Sequence, residues 1–560
     1  MKILIEGETY PIDILEEIFD DARFYSQNSY EATITTVGYY HSLSNNQLVY
    51  MLPKVFMSST DKELTIFGIN KNELLHIDVT DTFKHDSKYQ WIRQLIIYFY
   101  NSLREFQKRN NESILLHKSN HYLLQSNISS QEYTYLDLLL TFINFYKKNK
   151  NLILYRHIQS SSKSAKKTSW SKTISKKLPL INNMGQPIYN QFINKNKLID
   201  KQEELLVYFF SILQYLNKEH SLNISIDKSY KVIQGSAFES LKLNGLNKLK
   251  KIKYRYFSDV YRSMYRLCEL YFSKSDWGSK YKNSKEFITI DNYNIVFEDM
   301  IDKLFSKNSI ESDFENTEGL SLKDLKNHPD GKIIDHIYSD KSLIDNSNIF
   351  YIGDSKYYKP YGKAGKSSQF KQFTYAKNVI QFNIDILNQK NKLPNNLRYR
   401  DDITEGYNIT PNFFIYGYID DYHNFDDALL EPKSDVPISS SHFSDRLFDR
   451  DTLFIHEYKI NFLFVLKSYT SKNEHDIQAF RDATKRLFRE KFINFFNSPD
   501  QSGFFIIKKD FETVDELIKH VNCNFRKLNG KCISIDNSLL IAKPLELATK
   551  EDEIDQYFFS

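Results

Sequence analysis

Residues 329–377 limit the fold of this chain more than any other stretch, because two short apolar runs there carry two acidic residues and a lysine. The first run is Gly331-Lys332-Ile333-Ile334-Asp335-His336-Ile337-Tyr338, and the second is Ile349-Phe350-Tyr351-Ile352-Gly353-Asp354-Ser355-Lys356-Tyr357-Tyr358. A Ser-, Asp- and Asn-rich segment separates them, so they read as neighbouring strands of one sheet. Strand side chains alternate between faces, which puts Asp354 and Lys356 on one face, where Asp335 of the adjacent strand can meet them.

Paired carboxylates suit Mg²⁺, with Mn²⁺ as a substitute. The hard ion takes oxygen ligands and keeps waters, one of which can attack a phosphodiester. A lysine beside them can orient that water or offset charge building on the phosphate. An Asp-x-Lys on a strand is often only a solvated ion pair. Here the flanks are strongly apolar, so the charges would sit at the end of a buried sheet, where an unpaired charge is costly. Upstream, residues 294–305 read as an amphipathic helix with Val296, Phe297, Met300, Ile301, Leu304 and Phe305 on one stripe and Glu298 at its shoulder. Downstream, residues 368–377 begin another helix.

Helix Glu, strand Asp, Asp-x-Lys, then a helix carrying Lys371-Gln372-Phe373-Thr374-Tyr375 resembles the nuclease core of the PD-(D/E)xK superfamily. The wording from Tyr351 to Tyr358 is similar to that of McrC-like and LlaJI-like restriction endonuclease subunits. The resemblance implies Asp335, Asp354 and Lys356 as the catalytic set and Glu298 as a further metal carboxylate. It implies Gln372 and Tyr375 as positioning groups and Lys371 as a phosphate contact. A literal Pro329-Asp330 leaves two candidates for the strand carboxylate. Asp335 lies inside the apolar pattern, whereas Asp330 precedes a glycine in a turn-like context. Ser355 stands where many relatives have alanine.

The chain has 560 residues, room for about three to four domains of roughly 150 residues each. Its 75 Lys+Arg against 71 Asp+Glu leave a net charge of +4, so any nucleic-acid footprint must be local. Cys268, Cys523 and Cys532 have no metal-ligand spacing, which fits a reducing, bacterial cytoplasm. Neither a leader nor an apolar run approaching roughly 18 residues is evident, so no membrane partner is expected.

The expected fold class is α+β multidomain: a β-rich unit over 1–117, a helical middle over 118–285, and a nuclease core with a mixed sheet flanked by helices over 286–560. Two alternating runs, residues 30–38 and 48–56, suit a hairpin, and residues 89–109 suit a helix. This first unit resembles the recognition or partner region of the same family; a plain folding unit is the alternative. Residues 136–143 read as buried helix. Lys166, Lys167 and Lys172 surround Trp170 in a basic, Ser-rich segment that can grip phosphates and stack on a base, or be a solvated loop. The phrase Thr168-Ser169-Trp170-Ser171-Lys172-Thr173-Ile174 also resembles the LlaJI-like family. Lys250, Lys251 and Lys253 form a second basic cluster interleaved with aromatics that are more readily core than stacking platform.

Residues 306–326 read as a polar loop. Residues 412–418 and 458–466 read as strands with an irregular connection between them, and residues 476–496 as a helix whose basic side suits solvent, with DNA as the alternative. The Gly365-Lys366-Ser367 triplet invites a phosphate-cradling loop, but the required glycine five residues earlier is Pro360, so a flexible loop is expected and no bound nucleotide.

These readings point to a Mg²⁺-dependent endodeoxyribonuclease acting on double-stranded DNA. The family resemblance adds a separate McrB-like AAA+ GTPase as partner, and a double-strand break would need a second copy of a site that cuts one strand. A non-catalytic DNA-binding subunit, or a nuclease for RNA or single strands, are the alternatives.

Overall fold

The computed structural model describes residues 2–547, apart from 20–21, 28–29, 43–46, 57, 61–62, 67–68, 76–86, 110–115, 120–134, 150–151, 220–223, 275–284, 306–333, 345–347, 360–361, 391–400, 405, 407–408, 420–423, 429, 441–445, 449–453 and 472–473. The chain mixes helices with several separate sheets, an α+β arrangement. Asp330 and the polar loop at 306–326 lie outside the described residues.

Among the described residues, the sheet that carries Asp354 has six strands. His336–Lys341 pairs antiparallel with Asn348–Lys356, which runs parallel to Asn412–Tyr418, which runs parallel to Phe454–Asn461. Short strands Leu430–Pro432 and Ile438–Ser439 close the edge antiparallel to the last, so the connection expected to be irregular contributes two strands. Asn348–Lys356 is central and buried along almost its whole length, which explains its continuous apolar run.

Alternation sorts its two faces. Phe350 meets Phe382 of helix Lys366–Lys390, with ring centroids 6.3 Å apart, so the even-numbered face looks toward that helix. On the odd-numbered face Tyr351 stacks on Tyr338 at 5.1 Å, and Phe413 stacks on Phe488 of helix Glu474–Phe496 at 4.5 Å. Gly353 lies under Phe413, where an added Cβ would come within 2.0 Å of the ring. The Glu298 helix, Tyr293–Phe305, buries all six residues of its expected stripe.

Residues 458–466 are not one strand. The strand ends at Asn461 and helix Phe462–Thr470 begins at once, because the Asn461 side chain accepts the Leu463 N–H at 3.0 Å and caps it. A uniformly buried apolar run carries no period, so the cap decides. The hairpin is also shifted: Val37–Ser42 pairs with Gln47–Leu52, while Glu31–Ile34 pairs with Thr9–Pro11 and Tyr25–Gln27. Lys54–Phe56 is a single 3-10 turn. Lys366 and Ser367 open a helix rather than extending a flexible loop.

Strand Lys285–Ile290 pairs antiparallel with Val37–Ser42, joining a five-stranded sheet built mainly from the first fifty-odd residues. It feeds directly into the Glu298 helix, so this sheet is tied to the carboxylates by the shortest of linkers. The middle region contains helices Tyr135–Lys148, Glu204–Glu219, Ser236–Ile252 and Asp259–Lys274. Between the first two of these stands a ribbon of strands Tyr155–Ser162 and Phe192–Ile199, capped by helix Trp170–Lys176. A C-terminal unit of three antiparallel strands and helix Val514–Leu528 packs around Leu517, Val521 and Leu539. All three cysteines are free thiols. No helix among the described residues is long and apolar enough to cross a membrane.

Candidate active site

At the C-terminal end of the central strand, Asp354 and Lys356 project from the even-numbered face, and the Lys356 ammonium donates to Asp354 Oδ2. The Lys356 Nζ also lies 4.8 Å from the centre of the Phe414 ring, one strand over. Both residues are less than a tenth exposed, a setting in which a lysine and an aspartate persist only as partners. Asp335 lies one residue before strand His336–Lys341, and its Oδ2 accepts the Ser355 backbone N–H at 3.1 Å. That bond swings the Asp335 carboxylate against Asp354.

Two acids this close cannot both ionise cheaply. Burial first, then the Asp354 charge and hydrogen bond, push the Asp335 carboxyl well above the usual carboxylate range. Glu298, half-buried on its helix, is pushed up to about 7, chiefly by burial, with Asp354 adding to the rise. Its Oε1 accepts from Asn294 Nδ2 at 3.5 Å, which opposes the shift. Tyr375 is pushed up to about 12 by burial and then by Asp335, Asp354 and Glu298.

A cavity of about 440 Å³ gathers Glu298, Asp335, Asp354, Lys356, Lys371 and Tyr375, six of the residues expected from sequence. Gln372 is not among them. It is fully buried, and its Nε2 donates to Asn412 Oδ1 at 2.5 Å, while Asn412 Nδ2 donates back to the Gln372 carbonyl at 3.2 Å. One helical position beyond Lys371 turns the side chain about a hundred degrees, from the cavity into the core.

The basic segments lie apart from this cavity. Trp170 is 54% exposed and packs edge-on against Tyr189 and Phe192 on the ribbon, beside Lys166, Lys167 and Lys172. Lys250 and Lys251 end helix Ser236–Ile252, and Lys253 begins the turn that follows. Tyr256 and Tyr265 there are buried, as core aromatics should be, but Tyr254 and Phe257 are largely exposed.

Sequence reasoning missed Glu6, Lys54 and Tyr357, which complete the cavity wall. The Tyr357 hydroxyl donates to Glu6 Oε2 and accepts the Lys54 backbone N–H at 3.2 Å, and Lys54 Nζ lies 4.5 Å above the Tyr357 ring. Tyr357 follows Lys356 directly and could have been suspected; nothing local marks Glu6 or Lys54.

A second arrangement braces the site from behind. On the odd-numbered face, the Ser355 hydroxyl lies 2.5 Å from His336 Nε2, and His336 Nδ1 lies 3.5 Å from Asp302 on the Glu298 helix. This chain, buried at Ser355 and His336 and half-buried at Asp302, ties both strands to that helix immediately behind the carboxylates. No family model matches the chain, and no curated protein matches it.

Proposed function

We propose that the chain is a Mg²⁺-dependent endodeoxyribonuclease with a PD-(D/E)xK core, the cleaving subunit of a bacterial restriction or anti-phage system. The observation that carries this reading is the meeting of Asp335, Asp354, Lys356 and Glu298 in one cavity at the end of a mixed sheet. An antiparallel pair followed by a parallel strand, with helices before and after, is also the order such a core requires.

The donor set suits a hard divalent cation. Asp335 and Asp354 share a hydrogen bond that exists only while one of them keeps a proton, and a cation would take that proton's place. Among the described residues no three His, Cys, Asp or Glu side chains form a ready metal cage, so two carboxylates plus waters, with Glu298 nearby, would hold the ion. That sparse coordination is how Mg²⁺ is commonly bound. The ion would supply Lewis acidity and an acidified water.

The chain's own groups do the rest. Lys356 holds Asp354 in place and brings positive charge to the diester that enters. Lys371, exposed at the cavity mouth, meets a phosphate oxygen of the entering strand. Tyr375, kept protonated by burial and then by its acidic neighbours, has an O–H to donate to a phosphate oxygen. The hydrolysis breaks a P–O3′ bond, leaving a 5′-phosphate and a 3′-hydroxyl.

The GTPase partner rests on family resemblance alone. Plasmid cleavage in Mg²⁺ tests the core reading: Asp354→Ala and Lys356→Ala should each abolish cutting that the wild type shows, with or without a neighbouring NTPase. Cutting that persists in both variants places the chemistry elsewhere, and a chain that binds DNA without cutting is a binding subunit.

A further inference from the structure

A second cavity, about 530 Å³, adjoins the catalytic one, and Glu6, Lys54 and Tyr358 line both. Its far side is formed by residues 33–35 and by the loop after the central strand, with Lys359 and Lys363 at the rim. The Tyr358 ring and the lysine stems give it apolar surface, and the ammonium groups give it positive charge. Planar apolar surface beside cations is what a nucleotide offers a partner for: a base face and a phosphate.

We propose that this cavity is a nucleotide subsite, holding the unit next to the scissile phosphate on the same strand. The base lies against Tyr358, and the intervening phosphate meets Lys54 and Lys363. The inference rests on the nuclease reading and names the substrate's second contact.

The wall is built in advance. Lys433 Nζ donates to the Gly362 carbonyl at 2.6 Å, the Ala364 N–H donates to the Tyr416 hydroxyl at 3.2 Å, and Lys359 Nζ donates to the Gly7 carbonyl at 2.9 Å. Gly362 turns the loop beneath Tyr358, where a Cβ would stand 2.6 Å from that residue's own Cβ. Glu6 does not repel a phosphate here, because the Tyr357 hydroxyl and the Lys54 backbone N–H donate to it and Lys54 Nζ stands 3.9 Å away. Lys359 is committed to Gly7 and Glu8, whereas Lys363 is exposed at the rim, where an entering phosphate would meet it together with Lys54. Both cavities fall within the size range of small-ligand pockets, and sharing a wall makes them successive rather than separate.

The test compares two substrates. Bis(p-nitrophenyl) phosphate needs only the catalytic cavity, whereas an oligodeoxynucleotide needs both. Lys363→Ala and Thr35→Trp, the second filling the cavity from an exposed position, should lower kcat/KM for the oligonucleotide about tenfold, mainly through KM, the size one stacking contact gives. The small diester should be hydrolysed within twofold of the wild-type rate. Fluorescence anisotropy of the same oligonucleotide in EDTA should show the matching loss of affinity. Unchanged kinetics on the oligonucleotide, or an equal fall on both substrates, overturns the subsite. A wild type that hydrolyses neither substrate, with or without the neighbouring NTPase, instead sinks the nuclease reading. The EDTA titration then decides the subsite alone, unchanged affinity in both variants rejecting it.

Discussion

The Tyr357 hydroxyl donates to the Glu6 carboxylate, joining the residue after Lys356 to the end of the first strand of the chain. Through this bond the N-terminal sheet becomes a wall of the carboxylate cavity. Tyr357 is buried, and its hydroxyl also receives the Lys54 N–H.

Tyr357→Phe removes that hydroxyl, so the half-buried Glu6 carboxylate loses a donor and keeps only those of Lys54. A stability loss of about 1–3 kcal/mol is expected. Thermal denaturation of the variant reads it as a lowered Tm, and an unchanged Tm would show that the junction is dispensable.

Gly353→Ala places a methyl where Phe413 already stands, within 2.0 Å of an ideal Cβ. Phe413 stacks on Phe488 and cannot withdraw freely, so overpacking of about 1–3 kcal/mol is expected. Ser355→Ala is the comparison. It strips His336 Nε2 of its partner without adding volume, and its Tm separates packing from hydrogen bonding.

The carboxylates set a pH dependence. Glu298 titrates at about 7 in the folded chain against an ordinary 4.5, so the fold favours its protonated form. The stability this contributes is fully present below about pH 4.5 and is lost as pH rises through about 7. Glu298→Gln stays neutral throughout, so the wild-type Tm should fall relative to that variant across this window in metal-free buffer. Asp335 shifts in the same direction, and Mg²⁺ added above pH 7 should restore the lost Tm. Parallel Tm curves for wild type and variant would refute the shift.

The ribbon carries a prediction of its own. Residues 149–199 contain no Asp or Glu, and Lys166, Lys167 and Lys172 surround the half-exposed Trp170. If these lysines meet phosphates, the double variant Lys166→Ala/Lys167→Ala should weaken DNA binding irrespective of base sequence. It should also reduce the slope of log K against log salt by about 0.9 for each phosphate that is no longer neutralised. Trp170→Ala should weaken binding to single strands more than to duplex. A salt slope equal to that of the wild type would assign the ribbon another role.

The sequence alone determined what local periodicity can express. The stripe from Val296 to Phe305 is buried as its spacing requires, and Asp354 and Lys356 share a face because strand side chains alternate. Asp335 stood out as an acid inside one apolar run beside another, although the strand itself begins one residue later, at His336. Tertiary structure decided the rest. Gln372 turns into the core to meet Asn412, forty residues on, and one capping bond from Asn461 converts half of an apolar run from strand to helix. Glu6 and Lys54 reach the cavity only because strand Lys285–Ile290 pairs with Val37–Ser42 and Tyr357 fastens the junction. Contacts between residues hundreds of positions apart leave no period in the chain, so they exist only once the sheets have packed.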